Sequence, residues 1–351
     1  MTSRADQAFK MPPLDRKYNE VAWWVAHNAP FSSEDGYIYY NQNLNLMDQY
    51  KAGARGFELD LEWRCRNTFG PFGDEECDIR LCHESCEVNK FLQPSIGGLF
   101  QATGDPNGFK DYALKIIKEI LTKDSQAILT ITLENRVRDH RLIDKEIEEA
   151  GLADFVLKPG DWNPLEKQGW PTLEWMIKNN KRLVIFNDRG VPEDQQGLFS
   201  PLASSKYAYY QWQAMTQNQW GGANNFETAR KERGSSAGQY TMRYLYEFDW
   251  FPDGGKIIGG ISNIIAAVGD LFKKETPFAG DMNKVNCQDL EQALDKIIKE
   301  GLTTGKAKDR YPNFIKVDFG EKGCVNTIVN RINEMANDPV KRAKMFAPIR
   351  Y

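Results

Sequence analysis

Between residues 109 and 135 the chain reads FKDYALKIIKEILTK and then, after three polar residues, AILTITLEN. The first piece sets Leu114, Ile117, Ile120 and Leu121 at helical spacing. The second is a β-branched run of strand length. A helix feeding such a strand is half of a βα unit, and βα units build parallel sheets. The pattern recurs. EVAWWVA (20–26) is a continuous apolar run, and NLNLMDQYKAGA reads as a short helix stopped by glycine. RGFELDLEW (55–63) alternates, with Phe57, Leu59 and Leu61 on one face and Glu58, Asp60 and Glu62 on the other. DIRLCH (78–83), KRLVIFND (181–188), KYAYYQW (206–212) and NFIKVDF (313–319) are further strands, and TLEWMIKNN is a short helix. QYTMRYLYEF reads equally as strand or helix. The number of strands points to an α/β fold, a distorted or incomplete (β/α)8 TIM barrel, as one domain over residues 1–351. Residues 213–312, richer in Gly, Asn and Trp, read as an elaborated insertion before the last strand.

The same strands place chemistry at their C-terminal ends, where a βα barrel builds its site. The first ends in His27-Asn28, the second carries Glu58 and Asp60, the third ends at His83 and the fourth at Glu134. Three carboxylates and an amide oxygen are hard ligands suited to Ca²⁺, less well to Mg²⁺. Without a cation, carboxylates facing one pocket repel, and one takes up a proton. Two histidines titrating near neutrality suit an acid and a base on opposite sides of a phosphorus atom. The chain has only three histidines; His140, among the charges of RVRDHRL, reads as a surface residue.

The bulk composition closes other routes. A formal net charge of −4 and the lack of a basic block argue against nucleic acid. No apolar run reaches the roughly 18 residues of a spanning helix. MTSRADQAFKMPPLDRKYNE shows no apolar leader core, as in a secreted chain whose leader has been removed. Neither G-x-G-x-x-G after the first strand nor G-x-x-x-x-G-K is present, which removes nucleotide-binding readings. The six cysteines (Cys65, Cys77, Cys82, Cys86, Cys287, Cys324) are either disulfides of an oxidising compartment or buried thiols.

In order along the chain, AHNAP, QYKAGARGFELDLEW, LCH, ILTITLEN, WPTLEWMIKNNKRLVIF and FIKVDF resemble the catalytic X-region of phosphatidylinositol-specific phospholipase C. The resemblance covers roughly residues 20–190 and the strand near 314–319. It implies that His27 and His83 are the catalytic histidines. It also implies that Asn28, Glu58, Asp60 and Glu134 bind calcium. The metal-independent branch has arginine where this chain has Asp60, so the resemblance points to calcium dependence. The implied reaction cleaves phosphatidylinositol, at a membrane or micelle surface, to diacylglycerol and inositol 1,2-cyclic phosphate, then inositol 1-phosphate. His83 would protonate the leaving glycerol oxygen. His27 would take the 2-hydroxyl proton or stabilise charge, with Glu58 or Glu134 as other candidate bases. Arg189 matches a basic residue facing the inositol, and its competing reading is a loop arginine in solvent. Tyr210 and Trp212, two apart on a strand, offer a stacking ring or core packing. A secreted monomer with peripheral membrane contact is expected, and FDWFPDGG and IIGGISNIIAAVG either dip into the interface or fill a core. Glycerophosphodiester phosphodiesterase and sphingomyelinase-D-like phospholipase share the barrel and are the alternatives; Asn28 and the linker before Arg189 argue against them.

Overall fold

The structure is a computed structural model. It describes residues 6–37, 40–71, 75–82, 92–94, 100–102, 106–164, 169–198, 202–223, 225–233, 242–252 and 281–350. The chain forms two compact units. One comprises Pro12–Asn19 and Val25–Ala214; the other comprises Met1–Met11, Glu20–Trp24 and Met215–Tyr351.

The first unit is a parallel sheet wrapped by helices. The strand β1 (Trp23–Ala26) enters it at Val25, and Val25 and Ala26 pair in parallel with Gly56 and Phe57 of β2 (Gly56–Pro71). Glycine is required at that crossing, because a Cβ on Gly56 would lie 2.5 Å from a Val25 methyl. Then follow β3 (Glu75–Leu81), a small antiparallel pair β4 (Leu92–Pro94) and β5 (Phe100–Ala102), β6 (Leu129–Asn135), β7 (Leu183–Asn187) and β8 (Tyr209–Tyr210). The parallel order is β1-β2-β6-β7-β8. Five helices connect these strands or follow the last: α1 (Leu46–Ala52), α2 (Lys115–Lys123), α3 (His140–Glu149), α4 (Leu173–Lys178) and α5 (Gln211–Ala214). As the sequence suggests, α1 stops at Gly53, whose φ of 120° suits only glycine. Its start is capped by Asn45, which accepts the Asp48 N–H. In α2, Ile117, Ile120 and Leu121 are buried.

Two expectations change here. DIRLCH does not add a parallel strand: β3 folds back antiparallel on β2, Leu61 opposite Leu81 through Asn67 opposite Glu75, stapled by Cys65–Cys77. Alternation alone cannot tell a hairpin arm from a barrel strand. KYAYYQW stays extended only to Tyr210, and Trp212 lies on the short helix α5, so the two rings do not share a strand face.

In the second unit β9 (Met215–Asn218), β12 (Leu245–Trp250) and β13 (Phe314–Val317) run parallel in the order β9-β12-β13. β10 (Glu232–Arg233) pairs antiparallel with β9, and β11 (Met242–Arg243) with β14 (Ile349–Arg350). Much of QYTMRYLYEF is therefore strand, and β9 and β12 both lie within the stretch 213–312. Two asparagines hold the Val21–Trp23 backbone: Asn313 donates to Val21 O and accepts Trp23 N–H through its carbonyl, while Asn333 bonds both N and O of Ala22. The inward row of this sheet is charged. Lys316 Nζ lies 2.8 Å from Glu247 and 3.3 Å from Asp249, and Gln217 donates to both carboxylates, all essentially buried. A disulfide joins Cys287 to Cys324. Trp250 and Phe251 of FDWF are buried, which fits the core reading for that part; IIGGISNIIAAVG lies outside the described residues.

Among the described residues eight strands run parallel to a neighbour, five in one unit and three in the other, alternating with helices. The fold is α/β, as the periodicity requires. None of the described helices is long and apolar enough to cross a membrane.

Candidate active site

At the end of β1 the backbone turns through Asn28, whose φ of 47° lies in the left-handed region that asparagine tolerates better than most residues. That turn aims the Asn28 N–H at Glu58 Oε2 (3.3 Å) and the Ala29 N–H at Glu58 O (3.0 Å). The loop is pinned by two glutamines. Gln42 donates to His27 O at 2.7 Å, and Gln49 donates to Ala29 O and Leu44 O. Asn28 Nδ2 donates to Asn41 Oδ1 (3.2 Å). His27 lies with its Nε2 3.5 Å from Glu58 Oε2, its side chain 13% exposed against 3% for Glu58.

Register sets the rest. Side chains two apart on a strand share a face, as do partners across a parallel pair. Glu58 pairs with Thr132, and Asp60 with Glu134. Glu58, Asp60, Thr132 and Glu134 therefore line one face. Glu58 and Asp60 are buried and Glu134 is half-buried. Adjacent strands lie about 4.8 Å apart, so two like charges there repel by about 3 kcal/mol at an effective dielectric of 20. Arg136, which the sequence reading did not single out, answers part of that field. Its Nη1 bonds Glu62 at 2.8 Å, and Glu62, then Asp60 and Glu134, push its guanidinium further toward the charged form.

Below this row the same face becomes aromatic. Tyr18 OH bonds Thr130 Oγ1 (2.6 Å), and Trp170 packs in tilted contact with Tyr18, Phe186 and Tyr209, centroids 5.0–6.1 Å apart. The carboxylates stand on an apolar floor, which strengthens any field they produce.

The structure thus brings together His27, Asn28, Glu58, Asp60 and Glu134. His83 lies outside the described residues; its neighbour Cys82 donates its N–H to Asp60 O at 3.1 Å and is disulfide-bonded. Arg189 follows β7 and is exposed, its Nε donating to Asn135 O at 3.2 Å. Tyr210 packs its ring over Gly190, and Trp212 Nε1 donates to Asp188 O (2.9 Å), so both brace the Arg189 loop. Among the described residues, no three His, Cys, Asp or Glu side chains close on a single ion position.

The surface expectation for His140 is overturned: it is 2% exposed, bonded to Asn135 and Ser204. The signal for its burial was its spacing with Ile143, Asp144 and Ile147, which form the inner face of α3.

The PI-PLC_X family model, PI-PLC X 1, matches residues 14–242. A PI-PLC X domain-containing protein of Arabidopsis thaliana is 23% identical over 337 residues, 90% of this chain and 62% of that protein. PI-PLC X domain-containing protein 1 of Arthroderma benhamiae is 24% identical, covering 56% of this chain and 54% of its own length. An uncharacterized secreted protein of the same fungus is 26% identical over 53% of this chain and 38% of its own. The chain therefore spans under two thirds of each of these relatives. Among solved structures, phosphatidylinositol-specific phospholipase C from Listeria monocytogenes aligns over 92% of this chain and 95% of its own, at 10% identity and a TM-score of 0.44. A Staphylococcus aureus phosphatidylinositol-specific phospholipase C aligns over 91% and 94%, at 12% identity and a TM-score of 0.46.

Proposed function

This chain belongs to the PI-PLC X family, and from that membership we propose that it is a phosphodiesterase acting on phosphatidylinositol. The products are diacylglycerol and inositol 1,2-cyclic phosphate, then inositol 1-phosphate. The observation that carries the reading is the set on neighbouring strands: an imidazole 3.5 Å from a buried glutamate, beside a second buried carboxylate in register with a third.

The donor types suit calcium, although among the described residues the three carboxylates do not close on one ion position. Asn28, Glu58, Asp60 and Glu134 offer hard oxygens only, and calcium accepts irregular arrangements of six to eight of them. A buried polar atom on the same face supports a resident group: Thr132 Oγ1, in register with Glu58, has no hydrogen-bond partner among the described residues. When bound, the ion would supply positive charge toward a phosphoryl oxygen and offset the carboxylate repulsion. The chain's own residues do the proton work. His27, oriented by Glu58, takes the proton of the inositol 2-hydroxyl as that oxygen attacks phosphorus. His83 protonates the departing glycerol oxygen. Water then opens the cyclic ester with the two roles reversed. Arg189 approaches the inositol ring or its phosphates, with Tyr210 and Trp212 supporting its loop.

A secreted monomer working at a membrane surface fits this substrate. Two supports favour secretion. The five cysteines among the described residues are all disulfide-bonded, as in an oxidising compartment, and one relative is named a secreted protein. The test is phosphorus NMR of phosphatidylinositol vesicles with the protein, with and without EGTA. A cyclic phosphate resonance in calcium that vanishes in EGTA is expected. A signal persisting in EGTA rejects the metal, and no soluble inositol phosphate in calcium rejects the substrate.

A further inference from the structure

Four residues close a ring of hydrogen bonds just past the ends of β6 and β7. Asn135, the last residue of β6 and the neighbour of Glu134, accepts the Val137 N–H on its Oδ1 at 2.8 Å. Its Nδ2 therefore faces His140 Nε2, at 2.9 Å. On the other side of the imidazole, His140 Nδ1 lies 2.9 Å from the carbonyl oxygen of Ser204. Ser204 Oγ in turn donates to Arg189 O at 2.7 Å, and Arg189 Nε returns to Asn135 O at 3.2 Å. Asn135, His140 and Ser204 are 1%, 2% and 0% exposed.

The partners fix the imidazole. An amide N–H₂ on Nε2 makes that nitrogen an acceptor, and a carbonyl on Nδ1 makes that nitrogen the donor. Only the neutral ring with its proton on Nδ1 satisfies both. An apolar side chain would open the ring at two points. An asparagine would retain a donor toward Ser204 and lose the acceptor facing Asn135.

We propose that His140 is a positioning residue, held as the neutral Nδ1–H tautomer, that couples the strand end bearing Glu134 to the loop bearing Arg189. The role rests on the functional reading above, in which Glu134 holds the metal and Arg189 meets the substrate. The ring explains why a histidine occupies this place in α3, where its neighbours on the inner face are Ile143, Asp144 and Ile147. Leucine would fill the space, but only a group with one donor and one acceptor on opposite sides completes the circuit.

Three readouts test it. Two-bond ¹H–¹⁵N NMR of the wild type at about pH 8 should show the Nδ1–H pattern for His140. Hydrogen exchange in His140→Leu should accelerate by about tenfold or more in segments 133–137 and 187–190, with α2 unchanged. In His140→Asn only the 133–137 segment should loosen. Turnover of phosphatidylinositol by His140→Leu should fall about tenfold in kcat, as misplacement of a supported group does, with partial recovery in His140→Asn. An Nε2–H tautomer overturns the proposal, as does a folded His140→Leu with wild-type exchange in both segments. So does wild-type kcat in His140→Leu, provided the wild type is active. If His140→Leu fails to fold, the tautomer and His140→Asn decide. If the wild type proves inert on phosphatidylinositol, tautomer and exchange still report on the ring, so the two failures remain distinct.

Discussion

Two strands of this molecule carry the same short pattern, a glutamate and an aspartate two residues apart: Glu58 and Asp60 on β2, Glu247 and Asp249 on β12. Both pairs are buried. In the second unit the fold supplies the counter-charge itself, since Lys316 sits between the two carboxylates and Gln217 bonds both. In the first unit Glu58 has an imidazole at 3.5 Å and the Asn28 N–H, Asp60 faces a third carboxylate across the sheet, and Arg136 feels the charge of both Asp60 and Glu134. One pair shares a buried lysine; the other stands in a row of carboxylates at a strand end. The difference teaches that one short acidic pattern can sit beside a built-in lysine on one strand and beside a further carboxylate on another.

Breaking the lysine-bridged pair should give the largest effect. Lys316→Met strands two carboxylates in the interior, and removing one partner of a buried ion pair destabilises by about 3–5 kcal/mol. Urea unfolding measures this, and a change under about 1 kcal/mol would mean the cluster is solvated. The β2 pair should respond in the opposite sense. Asp60→Asn is expected to lower turnover of phosphatidylinositol by about 100-fold or more, the scale of losing one group that stabilises transition-state charge. Its urea midpoint should stay level or rise, because like-charge repulsion is relieved. Calcium sharpens the contrast further: at about a hundred times its Kd it should add about 2.7 kcal/mol to the wild type. The gain should be absent in Asp60→Asn and present in Asp249→Asn, as read by calorimetry.

The smallest effect concerns the hairpin beside Asp60. Glu146 on α3 accepts the N–H of Ile79, on β3, and of Lys110, and burial pushes its carboxyl up to about 7. A carboxyl whose folded value is raised takes up a proton on folding. Its contribution is fully present below its unfolded value of about 4.5 and is lost as pH rises through about 7. Glu146→Gln should therefore flatten the fall in stability between pH 5 and 8, seen as melting temperature against pH. An unchanged slope would place the titration elsewhere.

The first half of this contrast was legible in the sequence, and the Glu247 and Asp249 pair was not. The parallel strands around Glu58 and Glu134 follow from their apolar periodicity, and α1 from its terminal glycine. Asn28, Glu58, Asp60 and Glu134 stood out because strand ends of a βα fold converge. Three features were not legible, each for a physical reason. The β3 arm alternates like any half-buried strand, so its antiparallel direction needed the pairing itself. His140 is surrounded in sequence by charges that point away from the core, and only its helical spacing with Ile143 and Ile147 gives it away. Lys316 lies in NFIKVDF, where local pattern shows a lysine in a strand but not the acids of another strand that neutralise it.

The disulfides bear on how such a chain can be made. Cys65–Cys77 and Cys287–Cys324 close segments of 12 and 37 residues. The chain-entropy relation assigns these about 3 and 4 kcal/mol. Their sum rivals the whole net stability of an ordinary domain, about 5–15 kcal/mol. Expression in a thiol-rich cytoplasm should therefore yield aggregate or protease fragments, whereas export to an oxidising space, or refolding through a glutathione redox buffer, should yield soluble protein from the same gene.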